Sequence, residues 1–207
     1  MEADMATTEA TRDTKGRFKS KPHGSGNGSS IGVIAGAAAG GAALGLLAML
    51  GRKAIVQAPT AMAADWVEAL TLEHRAVSKL FDAIESTDDT ATVRRSILLT
   101  QLKHALAKHA LQEENVIYPA LREAGQVEAA DELNKEHGYV KQYLYELENM
   151  PNASPEWLAT VKRFRADLDE HVAEEENNLF PMLRAQLTEE KNKALALAMN
   201  KEGFKLA

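Results

Sequence analysis

The chain has 207 residues, enough for one ordinary domain and an appendage. Charged residues make up 26% and aromatics 5%, with Leu, Ala, Glu and Lys dominating, a balance that favours helices over strands. A net charge of -6 argues against nucleic acid as the main partner, and the absence of cysteine excludes disulfides, thiolate metal sites and cysteine nucleophiles.

Residues 1–30 are polar and rich in Gly, Ser, Thr and charge, with Phe18 and two methionines as their only large apolar residues. Such a segment cannot bury enough apolar surface to offset its ordering entropy, so it reads as a disordered arm. From Ile31 to Gly51 the chain runs 21 residues without a charge, closed by Arg52 and Lys53. That length can span a bilayer, and Gly32, Gly36 and Gly40 stand four apart, as close helix pairing in membranes requires. Residues 31–53 are therefore expected to form an apolar helix that anchors the chain in a membrane and supports a homo-oligomer. Against this, thirteen of the 21 residues are Gly or Ala, so insertion is marginal, and without the anchor the protein is cytoplasmic. Lys15, Arg17, Lys19 and Lys21 outnumber Arg52 and Lys53, which favours an internal N-terminus if the segment spans.

Beyond a linker at residues 54–60, the pattern is helical almost to the end. A first helix is expected over about 61–85, broken by the polar cluster Ser86 to Thr90. A second ends near Gly125 and a third before Pro151. A fourth opens with Ser154 as cap and Pro155 at its first position. Short connections imply antiparallel neighbours, hence an up-down-up-down four-helix bundle over residues 61–186. Thr188 and two glutamates begin an amphipathic helix over residues 187–207.

The apolar stripes step by three or four residues, as a packed helix seam does. The first helix reads Leu70, His74, Val77, Phe81, Ile84. The second reads Leu99, Leu102, Leu106, His109, Glu113, Val116, Ala120, and the third Ala130, Leu133, His137, Val140, Leu144, Leu147. The fourth gives Trp157, Val161, Phe164, Leu168, His171, Glu175, Leu179, Met182. Four histidines and two glutamates thus stand where a bundle wants leucine. A lone seam histidine is usually a hydrogen-bonded core residue, but four would land there by chance roughly once in 150 cases with two seam positions in seven. A buried carboxylate costs several kcal/mol unless a cation compensates it, and a metal supplies that compensation.

Two further features agree. Midpoints between successive His or His/Glu positions fall near residues 92, 124 and 155, at or near the expected turns, so the six side chains share one layer. The run from His109 through Glu113-Glu114-Asn115 to Tyr118-Pro119-Ala120-Leu121-Arg122 also returns 62 residues later. There it runs from His171 through Glu175-Glu176-Asn177 to Phe180-Pro181-Met182-Leu183-Arg184. Each half of the bundle supplies one lone histidine and one His-xxx-Glu pair, whose i, i+4 spacing puts both groups on one face. Imidazole and carboxylate donors without thiolate suit Fe, Mn or Zn. His104 falls off the seam as a solvated helix residue, and His23 lies in the arm. Glu114, Glu136, Glu174 and Glu176 read as solvated faces, and Tyr139 or Tyr143 as supports behind the ligands.

These six residues resemble the ligand set of the hemerythrin-like family in its His / His-xxx-Glu / His / His-xxx-Glu cation-binding form, over about residues 61–186. The resemblance implies a non-haem di-iron centre. His74 and His109 would cap one iron and His137 and His171 the other, with Glu113, Glu175 and an oxo or hydroxo group as bridges. Each iron would keep an open position for O2, peroxide or NO. Oxygen-carrying members add a histidine one turn away on the third helix, where this chain has Leu133 and Lys141, and use His-xxxx-Asp where it has His171-xxx-Glu175. Ferritin-like proteins need Glu-xx-His pairs, and the residues three before each bundle histidine are Thr71, Gln101, Leu106, Asn134 and Leu168. The leading expectation is a module that binds or senses O2, redox state or iron. The alternative is a small di-iron enzyme that disposes of peroxide or nitric oxide, and a metal-independent bundle is a third reading.

Overall fold

A computed structural model describes residue 63 and residues 65–206. The expected arm, the apolar segment 31–53, the linker and the first helix's expected start at residue 61 lie outside the described residues. Among the described residues, no helix is long and apolar enough to cross a membrane.

The described chain is all-α. Helix α1 spans Trp66–Glu85 and opens on Asp65, whose carboxylate accepts the Glu68 amide at 3.0 Å. The seam Leu70, His74, Val77, Phe81, Ile84 is buried, as its spacing predicts. Helix α2 (Thr92–Gln112) runs through a widened π-helical turn, Glu113–Ile117, into α3 (Tyr118–Glu123). Gly125, at φ 86°, adopts the left-handed conformation that lets the chain reverse into α4 (Val127–Asn149). Helix α5 (Pro155–Glu174) starts with Ser154 Oγ accepting the Trp157 amide at 3.2 Å, and Pro155 occupies the first turn, where a missing N–H costs nothing. It continues through a second π turn, Glu175–Leu179, into α6 (Phe180–Gln186). Helix α1 packs on α2, α3 on α4 and α4 on α5, and α5 closes the ring against α1.

The π turns were not expected from periodicity. In each, the amide after the turn donates five residues back, Tyr118 to Glu113 and Phe180 to Glu175. Pro119 and Pro181 follow immediately. Proline inside a helix lacks a donor and crowds the carbonyl four residues earlier, so a local register change accommodates it. One inserted residue rotates the downstream helix by about 100°. The seam shifts accordingly: Val116, Ala120 and Met182 are only half-buried, while Ile117, Tyr118, Leu121, Phe180 and Leu183 fill the core.

Two apolar clusters lie on either side of the His/Glu layer. One gathers around Trp66, Leu70, Ile117, Leu121, Phe180 and Leu183. The other gathers around Phe81, Ile84, Leu102, Trp157, Val161 and Phe164, with the Phe81 and Phe164 rings edge to face at 5.2 Å. Helix α7 (Glu189–Leu206) packs along α1 and α2 through buried Met199 and Gly203. Trp66 Nε1 donates to Asn192 Oδ1 at 2.8 Å, and Asn115 Nδ2 to Glu202 Oε2 at 3.1 Å.

Candidate metal centre

All six sequence-predicted residues meet in one buried layer. His74 comes from α1, His109 from α2, His137 from α4 and His171 from α5, while Glu113 and Glu175 open the two π turns. Each histidine is 6% exposed or less and both glutamates are fully buried. On one side, His74 Nε2 lies 2.9 Å from His109 Nε2, His109 Nε2 lies 3.1 Å from Glu113 Oε1, and His74 Nε2 lies 3.4 Å from Glu175 Oε2. On the other, His137 Nε2 is 3.4 Å from Glu113 Oε2 and His171 Nε2 is 3.4 Å from Glu175 Oε1. Both glutamates thus offer one oxygen to each side.

The outer nitrogens explain why all four Nε2 atoms face inward. His109 Nδ1 donates to Glu73 (3.2 Å), His74 Nδ1 to Glu176 (2.7 Å), His137 Nδ1 to Glu114 (3.0 Å) and His171 Nδ1 to Glu136 (2.7 Å). A carboxylate only accepts, so it fixes the proton on Nδ1 and leaves the Nε2 lone pair for the centre. The ring obeys the repeat. The residue before each lone histidine, Glu73 or Glu136, reaches its own hairpin's paired histidine. The residue after each pair's glutamate, Glu114 or Glu176, reaches the other hairpin's lone histidine. This corrects the solvated-face reading of Glu114, Glu136 and Glu176. It stands for Glu174, which is exposed and bonded to Asn178. Each of the four adjoins, in sequence, a seam residue of the layer.

Glu73 is the most embedded of the four. Lys108 Nζ donates to it at 2.9 Å, and the Gln112 amide, in the orientation that satisfies both its ends, donates to both oxygens at 2.8 and 3.1 Å. Burial opposes its charge, yet His109 and Lys108 hold its pKa down at about 2.

Tyr118, like Glu73, is a residue that sequence reading missed. Its hydroxyl lies 2.8 Å from Glu175 Oε1, 2.9 Å from His137 Nε2 and 3.4 Å from Glu113 Oε2. Five residues after Glu113 it would leave the seam of a regular helix, and the π turn brings it back. Burial and the charges of Glu113 and Glu175 push its pKa well above the usual phenol value, so it stays protonated. Tyr139 and Tyr143 take no such part: Tyr139 is half exposed, and the Tyr143 hydroxyl donates to Asp167 at 2.6 Å.

The layer is not closed by its own hydrogen bonds. Glu113 Oε1, His171 Nε2 and Glu175 Oε2 are buried without a hydrogen-bond partner among the described residues. Burial disfavours a charged His109, and burial together with His109's charge disfavours a charged His74. The carboxylates nevertheless win and raise both pKa values, that of His109 strongly. His137 is likewise raised by Glu113 against its burial. Burial alone would raise Glu113, but His109 and His137 hold it well below the usual carboxylate range. The layer demands positive charge at its centre, and protons or a cation can supply it. Two overlapping groups have metal-holding spacing, with donor atoms within 4.8 Å of one another: His74, His109, Glu113, Glu175, and Glu113, His137, His171. The inward imidazole and carboxylate donors fit Fe, Mn or Zn.

Two surface cavities of about 210 Å³ reach the layer. One, walled by Val77, Phe81, Leu106 and Leu168, reaches His74 and His109. The other passes Glu136 and Tyr143 to reach His171.

Comparison with known proteins agrees with this architecture. A crystal structure of a hemerythrin HHE cation-binding domain-containing protein from Mycobacterium kansasii superposes with a TM-score of 0.61 at 23% identity, covering 70% of this chain and 88% of that one. An uncharacterized hemerythrin-like protein of Schizosaccharomyces pombe is 30% identical over 133 residues, which are 62% of this chain and 64% of that protein. A DNA nickase of Nostoc sp. is 26% identical over 129 residues, 62% of this chain and 36% of its own length. The chain thus spans less than two thirds of either curated relative. The family model of the hemerythrin HHE cation-binding domain matches residues 65–183, more than half of the chain, and the protein belongs to that family.

Proposed function

We propose that this protein is a non-haem di-iron binding domain that binds or senses O2, redox state or iron. The observation that carries the reading is the set of three buried donor atoms, Glu113 Oε1, His171 Nε2 and Glu175 Oε2, left without hydrogen-bond partners in a layer of four inward imidazoles. In this reading His74 and His109 hold one iron, His137 and His171 the other, and Glu113 and Glu175 serve both. Two bound irons would supply a redox couple and open positions for a small diatomic or peroxide ligand. The chain's own residues fix the imidazole orientation through the Nδ1 carboxylates, keep bulk water out with the flanking apolar clusters, and hold a proton on Tyr118 beside His137. Residues 31–51, on length and glycine spacing, belong to the same reading as a membrane anchor and self-association helix. Optical spectra of iron-loaded protein under nitrogen and then air test the domain's role. An oxo-di-iron band that responds to air supports it, and an unchanged spectrum contradicts it.

One observation favours the enzymatic alternative, disposal of peroxide or nitric oxide. The Tyr118 hydroxyl lies 2.9 Å from His137 Nε2, placing a protonated group beside the ligands. Peroxide turnover that disappears in His74→Ala and Glu113→Ala would favour that reading over sensing.

A further inference from the structure

The repeat is symmetric in its six ligands and asymmetric beside them. Five residues after each pair's glutamate, the first copy has Tyr118 and the second has Phe180. Both rings are fully buried and occupy equivalent places, Tyr118 with its centroid 5.2 Å from that of His137 and Phe180 6.4 Å from His74. Only Tyr118 brings a hydroxyl. That hydroxyl touches three of the four donor atoms facing the His137/His171 side: His137 Nε2 at 2.9 Å, Glu175 Oε1 at 2.8 Å and Glu113 Oε2 at 3.4 Å. Among the described residues nothing corresponds to it on the His74/His109 side, and the two inward carboxylate oxygens, Glu113 Oε1 and Glu175 Oε2, have no hydrogen-bond partner there. That side assembles four donors within 4.8 Å of one another, whereas the Tyr118 side assembles three, with Glu175 missing from the group.

We propose that the two metal positions are unequal and fill in order: His74/His109/Glu113/Glu175 first, and His137/His171 second, because a cation at the second must displace the Tyr118 hydroxyl from His137 and Glu175. The inference rests on the metal-site reading above and adds to it a residue that sets affinity without being one of the six ligands. A hydrogen bond to a charged group is among the stronger polar contacts, and the hydroxyl's one proton lies between Glu175 Oε1 and His137 Nε2, on the lone pairs that coordination there requires.

Anaerobic titration of the metal-free protein with cobalt(II), followed by visible absorption and calorimetry, tests the order. The wild type should bind two ions in two steps with dissociation constants at least roughly tenfold apart, the size expected from one charged hydrogen bond. In Tyr118→Phe, which places in the first copy the residue the second copy already tolerates, the second step should tighten by roughly tenfold and merge with the first. Phe180→Tyr should weaken the first step instead. Two ions bound in a single wild-type step would overturn the proposal, as would a weaker second step in Tyr118→Phe, which would make Tyr118 a ligand. A wild type that binds no cobalt would overturn the metal-site reading itself, a separately visible failure.

Discussion

Among the described residues, two buried polar clusters are completed differently. At the turn end of α2, Arg95 is fully buried, yet its donors find Thr87 Oγ1 at 2.8 Å, the Thr87 carbonyl at 3.2 Å, Asp89 at 3.1 Å and the Asn152 carbonyl at 2.5 Å, with its guanidinium 5.3 Å from the Trp157 ring. That cluster ties two loops together and needs nothing else. In the His/Glu layer, an outer ring of carboxylates satisfies every Nδ1, while three inner atoms have no hydrogen-bond partner. Buried polar groups are ordinarily paired, so a layer ordered on its outside and unpaired on its inside favours the metal-site reading. Burial of charge by itself does not separate a structural cluster from a binding one. Completeness does.

The largest effect that can break this comparison comes from emptying the layer of charge. Glu113→Leu with Glu175→Leu should abolish metal binding altogether, read by elemental analysis. Without the carboxylates that raise His74, His109 and His137, the metal-free double variant should also lose most of the wild type's fall in stability between pH 6 and pH 8, read by urea titration. Arg95→Ala should do the opposite: a loss of about 3 kcal/mol of stability from stranded hydrogen-bond partners and a cavity beneath Trp157, with the metal content of the folded fraction unchanged.

Next in size is a reversal with pH. His74, His109 and His137 have pKa values raised above their unfolded value, so in metal-free protein they contribute stability that is full below about pH 6.5 and lost as pH rises through the raised values. Glu113, with its pKa lowered, contributes stability present above about pH 4.5 and lost as pH falls through its folded value. Metal-free protein should therefore be less stable at pH 8 than at pH 6. Metal-loaded protein should show the reverse order, since only neutral imidazole ligates. Thermal melts at the two pH values, with and without chelator, check the crossing.

The fold and the meeting of the six His/Glu side chains were legible in the sequence for one reason: both depend on period. Leu70, His74, Val77 and Phe81 on α1, and the 62-residue return of His109 and Glu113 at His171 and Glu175, follow from helix geometry alone. Where the period breaks, so does the reading. The π turns before Pro119 and Pro181 rotate the chain, so Ile117 and Tyr118 entered the core in place of Val116 and Ala120. The carboxylate ring was hidden for another reason. Glu114, Glu136 and Glu176 are only partly buried, and on a helical wheel they look like any surface acid.

The smallest expected effect probes that ring. Glu73→Ala or Glu176→Ala releases one Nδ1 proton anchor and should weaken metal binding roughly 10- to 100-fold while leaving the fold intact, measured by competition with a chelator of known affinity.

The most direct test of the central claim is elemental analysis of protein purified without added metal, paired with its melting temperature before and after chelation. A paired-metal layer predicts two ions per chain and a melting temperature that falls when they are removed. Metal near zero, with a melting temperature that chelator does not move, would contradict it.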